Sequence, residues 1–262
     1  MMRESSSVAE DRRRGNVIGI PIDALSWSGA QARLMAWARA RESRSVCICN
    51  VHSVVTATQD AAFRTVIQEA DMATPDGAPV AWTLRRKGFS AQERINGPDL
   101  MWRLCEQAAR EGVPIGLYGA TQPVLDLLCD ILRKAFPGLN IAYCVSPPFR
   151  ALSDEEDAQV CADINRSGAG LLFVGLGCPK QEKWIAQHRG RVDAVMLGVG
   201  AAFDYHAGTL KRAPEWMRAS GLEWLHRVST EPRRLWRRYL VTNSIFIATS
   251  VSEWFRGDFA RR

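Results

Sequence analysis

The sequence predicts an α/β fold with a largely parallel sheet, and three observations lead there. Apolar, β-rich segments alternate with helical patterns along the body of the 262-residue chain, the rhythm of successive strand–helix–strand units. The segments LLFVG (171–175) and AVMLGVG (194–200) are unbroken apolar runs, as expected of parallel strands covered on both faces. Several such runs end in glycine and then a polar helix start, as in GLGCPKQE (175–182).

Taken in order, strands are expected at 16–22, 45–51, 72–74, 114–118, 140–145, 170–174 and 193–198. Helices are expected between them at 27–41, 53–69, 79–87, 97–111, 122–136, 154–167 and 180–188. The helix at 122–136 stops at FPGLN, where proline follows the last turn and Gly138 allows the chain to reverse. The acidic run DEED (154–157) suits the first turn of a helix. Residues 1–15 are polar and charged with no apolar core segment, so a disordered tail is expected there, and no signal peptide. The α/β body is expected over 16–205. A helical appendage follows over 206–262, punctuated at Ala213-Pro214 and Gly221, with a new helix starting at Thr230-Glu231-Pro232. In that helix Leu235, Trp236, Tyr239 and Leu240 are expected to share one side, with Arg233, Arg234, Arg237 and Arg238 around the rest. This amphipathic pattern suits an anionic membrane interface, or a basic helix packed on the body.

With 47% hydrophobic and 24% charged residues, the chain reads as a soluble globular protein. No apolar run reaches the roughly 18 residues of a membrane span. The net charge of +6 is localised: residues 205–262 hold 11 Lys/Arg against 5 Asp/Glu, and the rest of the chain holds 23 of each. Four of the nine tryptophans also lie in that basic segment. A neutral body with a basic, aromatic tail points to an anionic partner for the tail. The body has no basic stripe and no nucleic-acid motif, so nucleic acid is disfavoured. The seven cysteines are scattered through apolar runs and read as buried reduced thiols of a cytoplasmic protein. Four histidines without HxxxH or CxxC patterns argue against a transition-metal site, and no cofactor is expected.

Two constellations carry chemistry. In the first, Asn50 and His52 follow a strand end, where α/β proteins place ligands. Asp76 sits in Pro75-Asp76-Gly77, either as a plain turn or as a general base at the mouth of a cleft. Arg94 precedes Asn96-Gly97-Pro98-Asp99. The second constellation is the set of glycine loops: Gly116, Tyr118 and Gly119; Gly175, Gly177, Pro179, Lys180 and Gln181; Gly198, Gly200, Phe203 and Asp204, with His206 just beyond. Such loops let backbone amides approach phosphate oxygens. Neither GxGxxG nor GxxxxGKS/T is present, which disfavours a dinucleotide dehydrogenase and a P-loop kinase.

The segments PDGxPxxW, GPDL, GLGxPKQExW, GVGxxFDxxAG, RAPxWM, GLEWLxR and EPxRLWRRYL follow in that order. Together they resemble the WecG/TagA/CpsF family of bacterial glycosyltransferases over roughly residues 16–245. The resemblance implies a Rossmann-like body with a C-terminal helical appendage. It also implies transfer of a sugar from a UDP-sugar to a polyprenyl-diphosphate-linked saccharide, inverting and metal-independent. Donors of the N-acetylmannosamine, N-acetylmannosaminuronate, glucuronate or glucose type serve exopolysaccharide and related surface-polymer synthesis in such relatives. By position, Asp76 matches the catalytic base, Asn50 a residue that orients substrate, and Arg94 an active-site arginine. Arg227, Arg234 and Arg237 match appendage arginines that reach the diphosphate or the lipid. The glycine loops then serve as the UDP-sugar site. A threonine of the family two residues before the asparagine is Ile48 here, which puts a hydroxyl role there in doubt. The implied location is the cytoplasmic face of the plasma membrane, peripherally attached, with possible homo-oligomers. A non-catalytic nucleotide-sugar sensor or membrane-assembly subunit would use the same loops and basic helix; the grouping of Asp76, Asn50 and Arg94 speaks against it.

Overall fold

The computed structural model describes residues 12–256, and within them the side chains of Ala219 and Arg234 are left out. The chain opens with a hairpin, β1 (Arg14–Val17) and β2 (Ile20–Asp23), then α1 (Trp27–Arg39), β3 (Arg44–Cys49), α2 (Val51–Gln59), α3 (Ala61–Glu69) and β4 (Met72–Pro75). It continues through α4 (Ala78–Arg86), α5 (Gly97–Glu111), β5 (Ile115–Gly119), α6 (Gln122–Ala135), β6 (Ile141–Val145) and α7 (Asp154–Ser167). Next come β7 (Leu171–Gly175), α8 (Lys180–His188), β8 (Val195–Gly198) and α9 (Ala202–His206). Three helices end it: α10 (Glu215–Ala219), α11 (Glu223–Thr230) and α12 (Pro232–Phe255).

Six strands form one parallel sheet in the order β4-β3-β8-β7-β5-β6. This is the expected α/β, Rossmann-like architecture. Strand side chains alternate between two buried layers, as the pleat requires. Val46, Ile48, Leu171, Phe173, Val195 and Leu197 meet α1, α5 and α6 on one face. On the other, Cys47 and Cys49 meet α2 and α3, while Leu172, Val174 and Met196 meet α7 and α8. All seven cysteines are free thiols, and five are buried.

The structure corrects four local expectations. The segment expected as one strand at 16–22 is the β1–β2 hairpin, because Ile18 and Gly19 take positive φ and reverse the chain. Order begins earlier than the expected body: Arg12 pairs with the buried Asp23 at 2.6 Å, and β1 starts at Arg14. Residues 1–11 of the expected tail lie outside the described residues. The helix expected at 53–69 is two helices, since the Asp60 side chain accepts from the Phe63 amide at 3.0 Å and starts α3 afresh. Finally, α12 starts at Pro232 as expected, but its four apolar residues do not share one environment. Leu235 is buried, Tyr239 is half-buried, and Trp236 and Leu240 are exposed. One residue along an α-helix turns the side chain by about 100°, so neighbours such as 235 and 236 belong to different stripes. The buried stripe is Leu235, Thr242, Phe246 and Glu253; it seats α12 on α2, and Lys87, just past α4, holds Glu253.

Candidate active site

The carboxyl ends of β3, β4, β7 and β8 open into a cleft of about 1370 Å³, roofed by α11 and α12. This is where open parallel sheets present ligands, because the loops leaving the strands there carry free backbone groups and helix starts.

Asp76 follows β4 directly and lines the cleft with 16% of its side chain exposed. Its amide donates to the Cys49 carbonyl at 2.9 Å, which ties the loop to β3. Arg94 Nε donates to Asp76 Oδ1 at 3.2 Å, and Arg94 Nη2 donates to Glu223 Oε2 at 2.6 Å. One guanidinium therefore joins a carboxylate of the body to a carboxylate of the appendage. Burial pushes the Asp76 carboxyl above its ordinary value; Arg94 opposes this and Glu223 adds to it. For Arg94, burial works against the charge, but Asp76 and Glu223 outweigh it and its pKa rises. Burial thus raises the proton affinity of the Asp76 carboxylate while its ion pair with Arg94 restrains it.

Asn50 sits at the N-terminus of α2, where its Oδ1 accepts from the Ser53 amide at 3.1 Å. Asn50 lines the cleft beside Gly77, and among the described residues nothing accepts from its Nδ2. His52 lies two residues further on. Burial, and then the charge of Arg238, lower its pKa to about 4, so the imidazole is neutral at physiological pH.

The opposite wall is the glycine-loop side. Gly175, Gly177, Gln181, Gly198, Gly200 and Asp204 all line the cleft. Gln181 fixes the wall's shape: its Oε1 accepts from the Gly177 amide at 3.1 Å and its Nε2 donates to Glu182 Oε1 at 2.9 Å. A Cβ at Gly198 would sit 2.9 Å from that Nε2, so only glycine admits the Gln181 side chain there. Glu182 is 2% exposed, and its Oε2 has no hydrogen-bond partner among the described residues. Burial raises its pKa to about 7.

Other expected members of this wall stand apart from the cleft. Gly116 and Tyr118 belong to the packed interior of β5, with Tyr118 stacked on Trp184 at 4.8 Å. Gly119 acts indirectly: at φ +127° its missing Cβ leaves room for the Gly175 carbonyl, which a Cβ would approach to 2.6 Å. Phe203 is fully buried beneath Gly175. Pro179 lies outside the lining, and Lys180 is exposed at the start of α8. His206 Nε2 is 2.9 Å from the Pro98 carbonyl, and the ring stacks on Trp102, so it does not join Asp204 in the cleft.

From the appendage, Arg227, Arg238, Tyr239 and Asn243 reach in. Arg227 lies over the Tyr205 ring at 5.9 Å, and Arg238 over Tyr239 at 5.3 Å. The Nε atoms of both arginines are buried without a hydrogen-bond partner among the described residues. Buried guanidinium donors of this kind mark an anion site. Arg237 is exposed and lies over Trp236, away from the cleft; the side chain of Arg234 is outside the described residues.

Glu223 and Arg238 were not singled out by sequence reading. Glu223 stands inside the quoted GLEWLxR segment and Arg238 inside EPxRLWRRYL, which were the available signals. A possible metal-ligand set also emerges: Asp157, Cys161 and His188 bring ligand atoms within 4.8 Å of one another. Asp157 is already engaged with His188 at 2.9 Å and Arg191 at 2.7 Å, and none of the three lines the cleft.

Comparison with known proteins fits this geometry. The family model described as "Glycosyl transferase WecG/TagA/CpsF family" matches residues 15–259. A Bacillus spizizenii W23 protein, N-acetylglucosaminyldiphosphoundecaprenol N-acetyl-beta-D-mannosaminyltransferase, is 34% identical over 188 residues, covering 70% of each chain.

Proposed function

The chain belongs to the WecG/TagA/CpsF family of glycosyltransferases, and from that premise we propose that it transfers the sugar of a UDP-sugar to a polyprenyl-diphosphate-linked saccharide, with Asp76 as base. The donor is of the N-acetylmannosamine, N-acetylmannosaminuronate, glucuronate or glucose type, and the product feeds surface-polysaccharide synthesis. The observation that carries this reading is Asp76 itself: a half-buried carboxylate with a raised pKa, held by Arg94 between two walls of one cleft.

The acceptor hydroxyl gives its proton to Asp76 as its oxygen attacks C1 of the donor sugar. The C1–O bond to UDP breaks in the same displacement, which inverts the anomeric centre. The departing diphosphate gains negative charge, and Arg227 is placed to meet it with an unengaged Nε donor. This arrangement asks nothing of a metal ion. Asn50 Nδ2 is placed to orient the acceptor hydroxyl, and the Gly175–Gly177 and Gly198–Gly200 loops to cradle UDP with Gln181 and Asp204.

No helix among the described residues is long and apolar enough to cross a membrane. The exposed Trp236, Leu240 and Ile247 of α12, beside the exposed Arg233 and Arg237, support peripheral binding to an anionic bilayer. Asp76→Ala tests the reading: transfer should fall by about 10²-fold or more while UDP affinity, read by calorimetry, stays within about twofold. Turnover near the wild-type rate in that variant would overturn the assignment of the base.

A further inference from the structure

We propose that the groove between α4 and the C-terminal half of α12 is the subsite for the prenyl chain of the acceptor. The proposal rests on the lipid-linked acceptor read above and locates the part of it that the chemistry does not touch.

The α12 residues that line the cleft are Arg238, Tyr239, Asn243, Phe246, Ile247, Ser250, Val251 and Trp254. Their spacing is that of one helical stripe, and it runs for about 24 Å at 1.5 Å per residue. Its character changes along its length. The end beside the catalytic centre is basic and polar: Arg238, Tyr239 and Asn243. Beyond Asn243 the stripe is apolar except for Ser250. Arg238 marks where the polar end lies, since its charge is felt by His52 and by Cys178.

The facing wall is α4, which contributes Pro79, Trp82 and Arg86 at helical spacing. Trp82 is 46% exposed, and Arg86 stacks over its ring at 5.3 Å. Lys87 Nζ holds Glu253 Oε2 at 2.7 Å and fixes the two walls against each other at the far end. Ile247 and Trp254 keep more than half of their surface exposed although they border the cleft. Apolar groups left open next to a catalytic cleft mark a site for an apolar ligand. The occupant must therefore be an amphiphile: an anionic head at Arg238, and an apolar chain leading away along Phe246, Ile247, Val251 and Trp254. A prenyl diphosphate has that shape. Because the groove opens beside the exposed face of α12, the chain would pass from bilayer to cleft without crossing bulk water.

Two water-soluble probes test this on the full chain. Inorganic pyrophosphate carries the head alone, and farnesyl diphosphate carries the head with a chain long enough to fill the apolar 12 Å or so between residues 246 and 254. Calorimetry should find farnesyl diphosphate at least about tenfold tighter than pyrophosphate. In Ile247→Ser/Val251→Ser, and separately in Trp82→Ala, that advantage should shrink to within about threefold, with pyrophosphate affinity unchanged. These side chains are exposed, so the fold should survive their loss, which thermal unfolding checks. Equal affinity of the two probes for the wild type overturns the proposal. So does an advantage that persists in both variants. If the variants keep the farnesyl preference but no longer bind anionic phosphatidylglycerol vesicles, the face contacts the bilayer rather than the substrate chain, and the proposal also falls. Neither probe donates sugar, so a wrong base or donor assignment would show in turnover of Asp76→Ala and leave this comparison untouched.

Discussion

Replacing Glu182 by glutamine probes the glycine-loop wall of the cleft, and its effect should depend on pH in a calculable way. The carboxyl is 2% exposed, so solvent does not screen it. It accepts one hydrogen bond from Gln181 and leaves Oε2 unpartnered. Burial raises its pKa from 4.5 to about 7. The folded protein thus holds this proton more tightly than the unfolded chain does. The stability linked to it is fully present below pH 4.5 and is lost as pH rises through about 7. At 1.36 kcal/mol per unit, the loss between pH 5 and pH 8 comes to about 2–3 kcal/mol. Glutamine keeps an oxygen for Gln181 Nε2 but cannot ionise. The stability of Glu182→Gln relative to wild type should therefore climb by about 2–3 kcal/mol over that range, whatever its constant offset. Urea unfolding followed by tryptophan fluorescence at pH 5, 6, 7 and 8 measures the difference. A difference that stays flat to within about 0.5 kcal/mol would refute the reasoning, because the carboxyl would then titrate alike in both states.

The Asp76–Arg94–Glu223 chain makes a paired prediction for the acidic limb of the pH–rate profile, where transfer is lost as Asp76 takes up a proton. Arg94→Gln removes the group that lowers the Asp76 pKa and should move the limb to higher pH; Glu223→Gln removes one that raises it and should move the limb to lower pH. Shifts of the same sign would break the assignment. Arg238→Ala should weaken pyrophosphate binding roughly tenfold, the loss of one charge-assisted hydrogen bond, as read by calorimetry. Leu235→Ala should lower unfolding free energy by about 2–5 kcal/mol, since Leu235 is buried where α12 seats on the body.

What the sequence disclosed follows from how each feature is encoded. LLFVG and AVMLGVG were readable because a strand buried on both faces must be apolar throughout. Asn50, Asp76 and Gln181 were readable because each follows a strand of that kind within a few residues, and parallel topology alone brings those strand ends together. The hairpin at β1–β2 was hidden, since only Gly19 breaks an otherwise continuous apolar segment. The break at Asp60 was hidden too, since an aspartate amid TQDAAF reads equally well inside a helix. Glu223 could not be found by local pattern, because its partner Arg94 lies 129 residues away. The choice between Arg237 and Arg238 was beyond reach for a simpler reason. They differ by one residue, about 100° on the helix, and only the seating of Leu235 and Phe246 decides which one faces the cleft.

On the proposed mechanism, that seating makes the appendage part of the catalytic centre as well as a candidate anchor. The residues expected to hold UDP, namely Gly175, Gly177, Gln181, Gly198 and Asp204, all precede the appendage. The group proposed to balance the leaving diphosphate, Arg227, lies within it, as does Glu223, which shares Arg94 with Asp76. On that proposal, ground-state binding of UDP and stabilisation of its departure are carried by different stretches of chain. A chain that ends at Pro214 should keep UDP affinity within about threefold and lose turnover by about 10²-fold or more. The truncation bares the surface covered by Leu235 and Phe246, so Arg227→Ala supplies the same test on a complete fold. If UDP affinity falls as far as turnover in both proteins, Arg227 serves ground-state binding, and the division of labour between body and appendage is refuted.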